Sequence, residues 1–247
     1  MKIYDTLIIG CSYSAVGYAV SRGDTVICEE HQICDTSFYL PLRSFKYMPY
    51  EPKTEEGAGL LEIFANLGLF GEKEQNTNGF EFAFCKYIAE KDVNVLLKCR
   101  VIRARLNGDG VYDVTVQTNE GLSHLYAGKI IDTTKELKKN RYTVLFVCDD
   151  IDSVRERLLS AFKSAEIEGA FYKNRYALHF SREGQDENRI KVDVYETWRS
   201  LNIDAKILYM APVFYGEGGS VALCDEVHSN PIAAFESGYF YAEEVGE

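Results

Sequence analysis

The sequence predicts an α/β fold: a central, largely parallel sheet with helices and a β-meander, and a smaller α+β block inserted into it. Three observations predict this. The chain opens on a strand–helix–strand unit of the size that a right-handed crossover needs. A strong hairpin signal, Asn107-Gly108-Asp109-Gly110 between two alternating segments, marks the meander. From Arg141 to about Gly216 the pattern stops being parallel and then returns, so residues 1–140 and 217–247 are expected to form one discontinuous domain and 141–216 an inserted one.

The elements follow in order. Lys2 to Ile9 is an apolar, β-branched run suited to a buried parallel strand. Gly10 to Ser14 is a small-residue turn. Ala15, Val16, Ala19 and Val20 recur at helical spacing, and Gly23 stops the helix. Thr25 to Cys28 is a second buried strand, closed by Glu29 and Glu30. Residues 31–78 carry four glycines or prolines between Pro49 and Gly59 and read as a long excursion, with a short helix near Leu60 to Leu67. Phe80 to Glu90 reads as an amphipathic helix and Val93 to Leu97 as a strand. Arg100 to Leu106, Tyr112 to Thr118 and Leu122 to Tyr126 make the meander, and Lys129 to Asp132 is a separate buried strand. In the inserted block, strands are expected at Tyr142 to Val147, within Ala170 to Phe180 and at Ile203 to Tyr209. Its helices are expected at Ile151 to Ser164 and Asn188 to Leu201. A short strand at Val221 to Cys224 and a helix opening at Asn230-Pro231 and running to about Val245 end the chain.

The bulk properties exclude some function classes. The 247 residues are 46% hydrophobic, enough for a sizeable core. The formal net charge of -11 repels phosphate backbones and anionic membrane, so neither nucleic acid nor a membrane is an expected partner. No apolar run reaches spanning length, and Asp5 interrupts the opening stretch that a signal peptide would keep apolar. The 7 cysteines are scattered without a C-x-x-C pair, which argues against a disulfide framework and a zinc site and fits a reducing cytoplasm; no metal is expected. The oligomeric state is not readable.

The opening carries the chemistry. A dinucleotide fingerprint is a strand, G-x-G-x-x-G/A, a helix, and an acid about 20 residues on. Here the turn is Gly10-Cys11-Ser12-Tyr13-Ser14-Ala15, and Glu29 follows at the end of the second strand. Gly10 permits the tight turn, and Ala15 lets helix and strand pack closely. The helix N-terminus offers N–H groups and a positive dipole end to a pyrophosphate. Glu29 suits a ribose diol and disfavours the extra phosphate of NADP. Ser12 replaces the middle glycine and narrows the approach. A turn that merely packs is the bland alternative, and the opening alone suits NAD as well as FAD.

The remaining segments resemble one family. YDTLIIG, the variant turn and CEE resemble the start of the glutathione-reductase-like superfamily of FAD-dependent oxidoreductases, which use a Rossmann-type fold. Phe80 to Thr134 is similar to that superfamily's next segment, with Thr133-Thr134 where an Ala-Thr-Gly signature usually stands. SVALCD followed by NPIAAFESGYFYAEEV resembles its closing motif, with Cys224 in place of a glycine. The resemblance implies FAD, with Gly10, Ser12, Tyr13, Ser14 and Ala15 at the pyrophosphate, Glu29 and Glu30 at the ribose, and Val101 beside the adenine. Thr133 and Thr134 would line the cofactor, Asp225 would hold the ribityl chain, and the helix opening at Pro231 and Ile232 would face the flavin. It implies an oxidoreductase that passes hydride between flavin and a small organic substrate.

No catalytic side chain stands out. His228, between Asp225 and the last helix, is the one candidate acid or base, and an ordinary loop histidine is the commoner reading. Cys11 beside a helix N-terminus is more often a packing residue than a reactive thiol. Among the 17 Tyr and 14 Phe, Tyr172, Tyr176, Phe180, Tyr209, Phe214 and Tyr215 could line a substrate pocket, but for most of them the core of an antiparallel sheet is the preferred reading. The degenerate glycines keep a second reading open: a non-catalytic descendant of the same fold that binds flavin or another nucleotide as a sensor or partner module.

Overall fold

A computed structural model describes residues 2–35, 37–43, 45–46, 48–72, 74–134, 140–182, 187–212, 215–216, 223, 225 and 228–245. Strand β1 (Ile3–Ile9) leads through a turn at Gly10 into helix α1 (Tyr13–Arg22). Ser12 caps α1 by accepting the Ala15 N–H, and Gly23, at φ 70°, ends it. Strand β2 (Thr25–Glu29) is wholly buried, as its continuous apolar run requires. Helix α2 (Glu55–Asn66) starts at a Thr54 cap with Glu55 and Glu56 in its first turn, where the dipole favours them. Helix α3 (Phe80–Glu90) follows a single 3-10 turn, and strand β3 (Asn94–Leu97) pairs parallel to β2.

Strands β4 (Arg100–Leu106) and β5 (Tyr112–Thr118) form the expected hairpin. Its turn is held by the Asn107 side chain, which accepts the N–H groups of Asp109 and Val111. Strand β6 (Gly121–Asp132) corrects the sequence reading: the two strands expected at Leu122 to Tyr126 and Lys129 to Asp132 are one. Its first half pairs antiparallel to β5, and its second half pairs parallel to β1. Gly128, which suggests a break, sits in the continuous strand; a Cβ there would come 3.3 Å from the Asp5 carbonyl. The sheet order is therefore β3-β2-β1-β6-β5-β4, parallel on one side of β6 and a meander on the other.

A second, antiparallel sheet has the order β10-β7-β9-β8, with β11 (Tyr215–Gly216) also on β7. Its strands are β7 (Asn140–Val147), β8 (Glu166–Gly169), β9 (Arg175–Ser181) and β10 (Lys206–Met210). Helices α4 (Ile151–Ala161) and α5 (Glu187–Ser200) cover one face. Tyr142, Val144, Phe146, Leu178 and Phe180 meet Leu158, Ile190, Val194 and Trp198 there. The aromatics Tyr142, Tyr176 and Phe180 thus form sheet core. The other face meets the excursion: Leu42 and Phe45 pack on Leu145, Ala170 and Ala177. Nearby, Glu168 accepts the Phe45 N–H at 2.6 Å and contacts His179, which also bonds Thr143.

Helix α6 (Pro231–Glu244) returns to the first sheet and crosses α1 with backbone against backbone. Gly17 of α1 and Gly238 of α6 make this possible. A Cβ on Gly17 would strike the Phe235 carbonyl, and one on Gly238 the Ser14 carbonyl. The short strand expected at Val221 to Cys224 falls mostly outside the described residues; Leu223, which is described, lies in a turn at φ 60°. Among the described residues, no helix is long and apolar enough to cross a membrane, and no group of His, Cys, Asp or Glu is placed to hold a metal ion.

Candidate functional site

The carboxyl ends of β1, β2 and β6 open into a cleft of about 860 Å³, walled on its far side by β4. Ligands of open α/β sheets bind at such an edge. Of the residues singled out from sequence, Gly10, Ser12, Glu29, Glu30, Val101, Thr133, Thr134 and Asp225 line it. Tyr13, Ser14 and Ala15 are fully buried behind the turn, and Pro231 and Ile232 are buried at the start of α6. The cleft also gathers Ser37, Cys28, Cys99, Arg100 and Arg103, which motif reading missed, and His31, which follows the first strand–helix–strand unit. Cys28 and Cys99 meet thiol to thiol, which pushes the Cys28 thiol up. Arg100 and Arg103 both reach the cleft although they are three apart, because the register of β4 on β5 shifts between Val101 and Arg103, which a strict period of two does not disclose.

Gly10 has φ +96°, and a Cβ there would lie 2.5 Å from Thr133 Oγ1. Glycine is required by its conformation and by Thr133, whose hydroxyl donates to the Ile9 carbonyl. Glu29 is 2% exposed. Its Oε2 accepts the Cys11 N–H at 2.7 Å, and its Oε1 accepts the His31 N–H and contacts His31 Nδ1, each at 2.7 Å.

Asp225 lies 1% exposed over the N-terminus of α1. Its Oδ2 accepts the Tyr13 N–H at 2.8 Å, its Oδ1 accepts the Ser14 N–H at 2.9 Å, and it also contacts the Ser14 hydroxyl. The next two donors of the turn are taken as well: Ala15 N–H by Ser12 Oγ and Val16 N–H by the Ser12 carbonyl. Helix α6 is capped in the same manner, with Asn230 Oδ1 accepting the Ile232 N–H at 2.8 Å and the Ala233 N–H at 3.4 Å. The carboxylate that the resemblance assigns to a ribityl chain therefore faces α1. The helix start it assigns to a flavin ring is bonded to its own cap.

Two further groups support this corner. Asp35, fully buried, accepts the Tyr13 hydroxyl at 2.7 Å and the N–H groups of Phe38 and Tyr39. Burial outweighs these bonds and pushes its carboxyl up to about 7. Arg43 donates to the carbonyls of Asp225 at 2.7 Å and His228 at 2.8 Å, clamping that segment from outside. His228 is half-buried; burial holds its imidazole below the usual range, helped by Arg43 and opposed by Asp225.

No protein-family model matches the sequence, and no curated protein matches it by sequence. Solved structures do match its shape. CabE, an aromatic hydroxylase from angucycline biosynthesis, superposes at a TM-score of 0.58 with 10% identity over 99% of this chain and 63% of its own. A geranylgeranyl bacteriochlorophyll reductase-like protein from Thermoplasma acidophilum gives 0.58 with 11% identity over 98% of this chain and 78% of its own. Aklavinone-11 hydroxylase, solved with FAD and aklavinone, gives 0.56 with 11% identity over 99% and 63%. The chain thus spans less than two thirds of the length of both hydroxylases. The architecture, a Rossmann-type α/β sheet with an added second sheet, is shared with these proteins, one of which was solved with FAD bound.

Proposed function

We propose that the chain binds FAD by its adenosine end in the cleft between Gly10, Glu29 and Val101, and that it is an oxidoreductase acting on a small organic substrate. The observation that supports this most is the cleft itself: a large opening at the carboxyl ends of β1, β2 and β6, with a buried acid on its floor and strand β4 as its wall. The fold shared with aklavinone-11 hydroxylase, which was solved with FAD, supports the cofactor's identity. The chain's own residues fit the adenosine end and do not fit the pyrophosphate as they stand, because the N–H groups of Tyr13 and Ser14 are already bonded to Asp225. When bound, flavin supplies the hydride chemistry, and the protein supplies position and electrostatics.

That internal bonding favours a second reading, a non-catalytic nucleotide-binding descendant of the fold. The visible spectrum of the purified protein decides between them, together with any ligand released on denaturation. Bound FAD that bleaches with a defined organic substrate establishes the oxidoreductase. Bound FAD that no reductant or substrate turns over establishes the second reading. A colourless protein that takes up neither FAD nor adenosine refutes both.

A further inference from the structure

We propose that Asp225 is the specificity-determining residue of the cleft: its carboxylate stands where a bound phosphate would stand, so any ligand bearing a pyrophosphate must displace it. The inference rests on the cleft being an adenine-nucleotide site. It reverses the role the resemblance implies, in which Asp225 helps to hold the cofactor.

Three observations carry it. The Asp225 carboxylate makes two well-formed bonds, one to each of the Tyr13 and Ser14 N–H groups, and it is nearly inaccessible to solvent. A carboxylate on the first N–H groups of a helix is a strong acceptor, favoured by charge and dipole together. Its backbone is also pinned from both sides. The Ser14 hydroxyl reaches the Leu223 carbonyl at 2.7 Å, and Arg43 ties the carbonyls of Asp225 and His228. The backbone that carries the carboxylate is therefore held in place by side chains of two other elements. Finally, the neighbouring N–H groups of Cys11, Ala15 and Val16 are themselves bonded, to Glu29 and Ser12. A phosphate and the Asp225 carboxylate cannot both accept the same two N–H groups, and two anions held side by side repel each other.

The test compares wild type with Asp225→Asn and Asp225→Ala, titrated with adenosine, ADP and FAD by calorimetry. In parallel, thermal unfolding is followed with and without millimolar inorganic pyrophosphate. Asp225→Asn keeps the shape of the side chain and guards against a folding failure in Asp225→Ala. The expected result is at least tenfold tighter binding of ADP and FAD to the variants, about 1.4 kcal/mol, with adenosine unchanged. Pyrophosphate should raise the Tm of the variants and leave wild type unmoved. Equal or weaker binding of FAD by the variants overturns the proposal and restores Asp225 as a cofactor ligand. If no form binds FAD, ADP or adenosine while pyrophosphate still raises the Tm of the variants alone, the FAD reading fails and the role of Asp225 stands. If pyrophosphate also leaves the variants unmoved in that case, both fail.

Discussion

Replacing Gly238 by alanine tests the contact on which the site's geometry depends. Gly238 is in the middle of α6, where helix propensity alone favours alanine by about 1 kcal/mol. The crossing with α1 reverses that preference. A Cβ at 238 would lie 2.5 Å from the Ser14 carbonyl carbon and 2.7 Å from its Cα, against the 3.4 Å or more of ordinary contact. The nearest partner atom is the Ser14 carbonyl oxygen, closer still, and all three are backbone, so the helices must part by more than about 1 Å, an overpacking that costs about 1–3 kcal/mol or more. Ser14 also donates to Asp225, and loosening that charged hydrogen bond adds roughly 1.5–3 kcal/mol. The net expectation is a loss of about 2–5 kcal/mol, and a Tm lower by roughly 5–15 °C for a chain of this size. Gly59, in the exposed part of α2, is the control, since a Cβ there meets nothing within 4 Å. Gly59→Ala should stabilise by up to about 1 kcal/mol. Urea unfolding of the two variants beside wild type measures both. If Gly238→Ala is as stable as Gly59→Ala, the helices do not meet at this glycine and the placement of Ser14 under Asp225 loses its basis.

Two further outcomes follow from buried carboxyl groups. Asp35, pushed from 3.8 up to about 7 by burial, holds a proton in the folded chain that it has lost in the unfolded one, so stability should fall as pH rises from about 4 to about 7. The penalty is at most about 4 kcal/mol and flat above that window, and Asp35→Asn should remove this part of the slope in urea midpoints taken from pH 4 to 8; a slope unchanged in the variant assigns it elsewhere. Glu236, 1% exposed on α6, accepts Tyr50 Oη, the Lys53 and Thr54 N–H groups and Thr54 Oγ1 at 2.7–2.8 Å. Glu236→Ala leaves these donors unmatched, should cost about 3 kcal/mol, and should open residues 50–54 to limited proteolysis, with Glu236→Gln closer to wild type. A Glu236→Ala chain as protease-resistant as wild type counts against that bonding.

What the sequence disclosed was local, and what it hid was long-range. The first strand, turn, helix and strand were legible because period, glycine and acid lie within one short window, and the Asn107-Gly108 turn for the same reason. The long strand β6 was not, because Gly128 looks like punctuation and only its approach to Asp5 shows why it is there. Asp35 offered a faint signal, an aspartate at the start of a loop turn that accepts N–H groups three and four residues on. Glu236 offered none. On a helix with other exposed acids it reads as one more solvated charge, and its partners belong to a loop far earlier in the chain. The cleft-lining set was legible in place but not in orientation. Gly10, Glu29, Val101 and Asp225 all face the cleft or border it, yet nothing near Asp225 in sequence says that its carboxylate meets residues 13 and 14.

Three of the four described buried acids, Glu29, Asp225 and Glu236, share a physical logic. Each accepts backbone N–H groups at a point where the chain changes direction: Cys11 and His31, Tyr13 and Ser14, Lys53 and Thr54. Such N–H groups must be satisfied by something, and in a nucleotide-loaded site of this fold the ligand's phosphates and hydroxyls contribute to that. Here the polypeptide itself provides acceptors for the N–H groups of Gly10, Cys11 and residues 13–16. A fold completed in that way gains stability by itself and gives up part of the driving force for binding an anion. On the proposed reading, the affinity of the cleft for a pyrophosphate depends on how firmly Asp225 holds α1, and the Arg43 and Ser14 tethers of that segment make the hold firm.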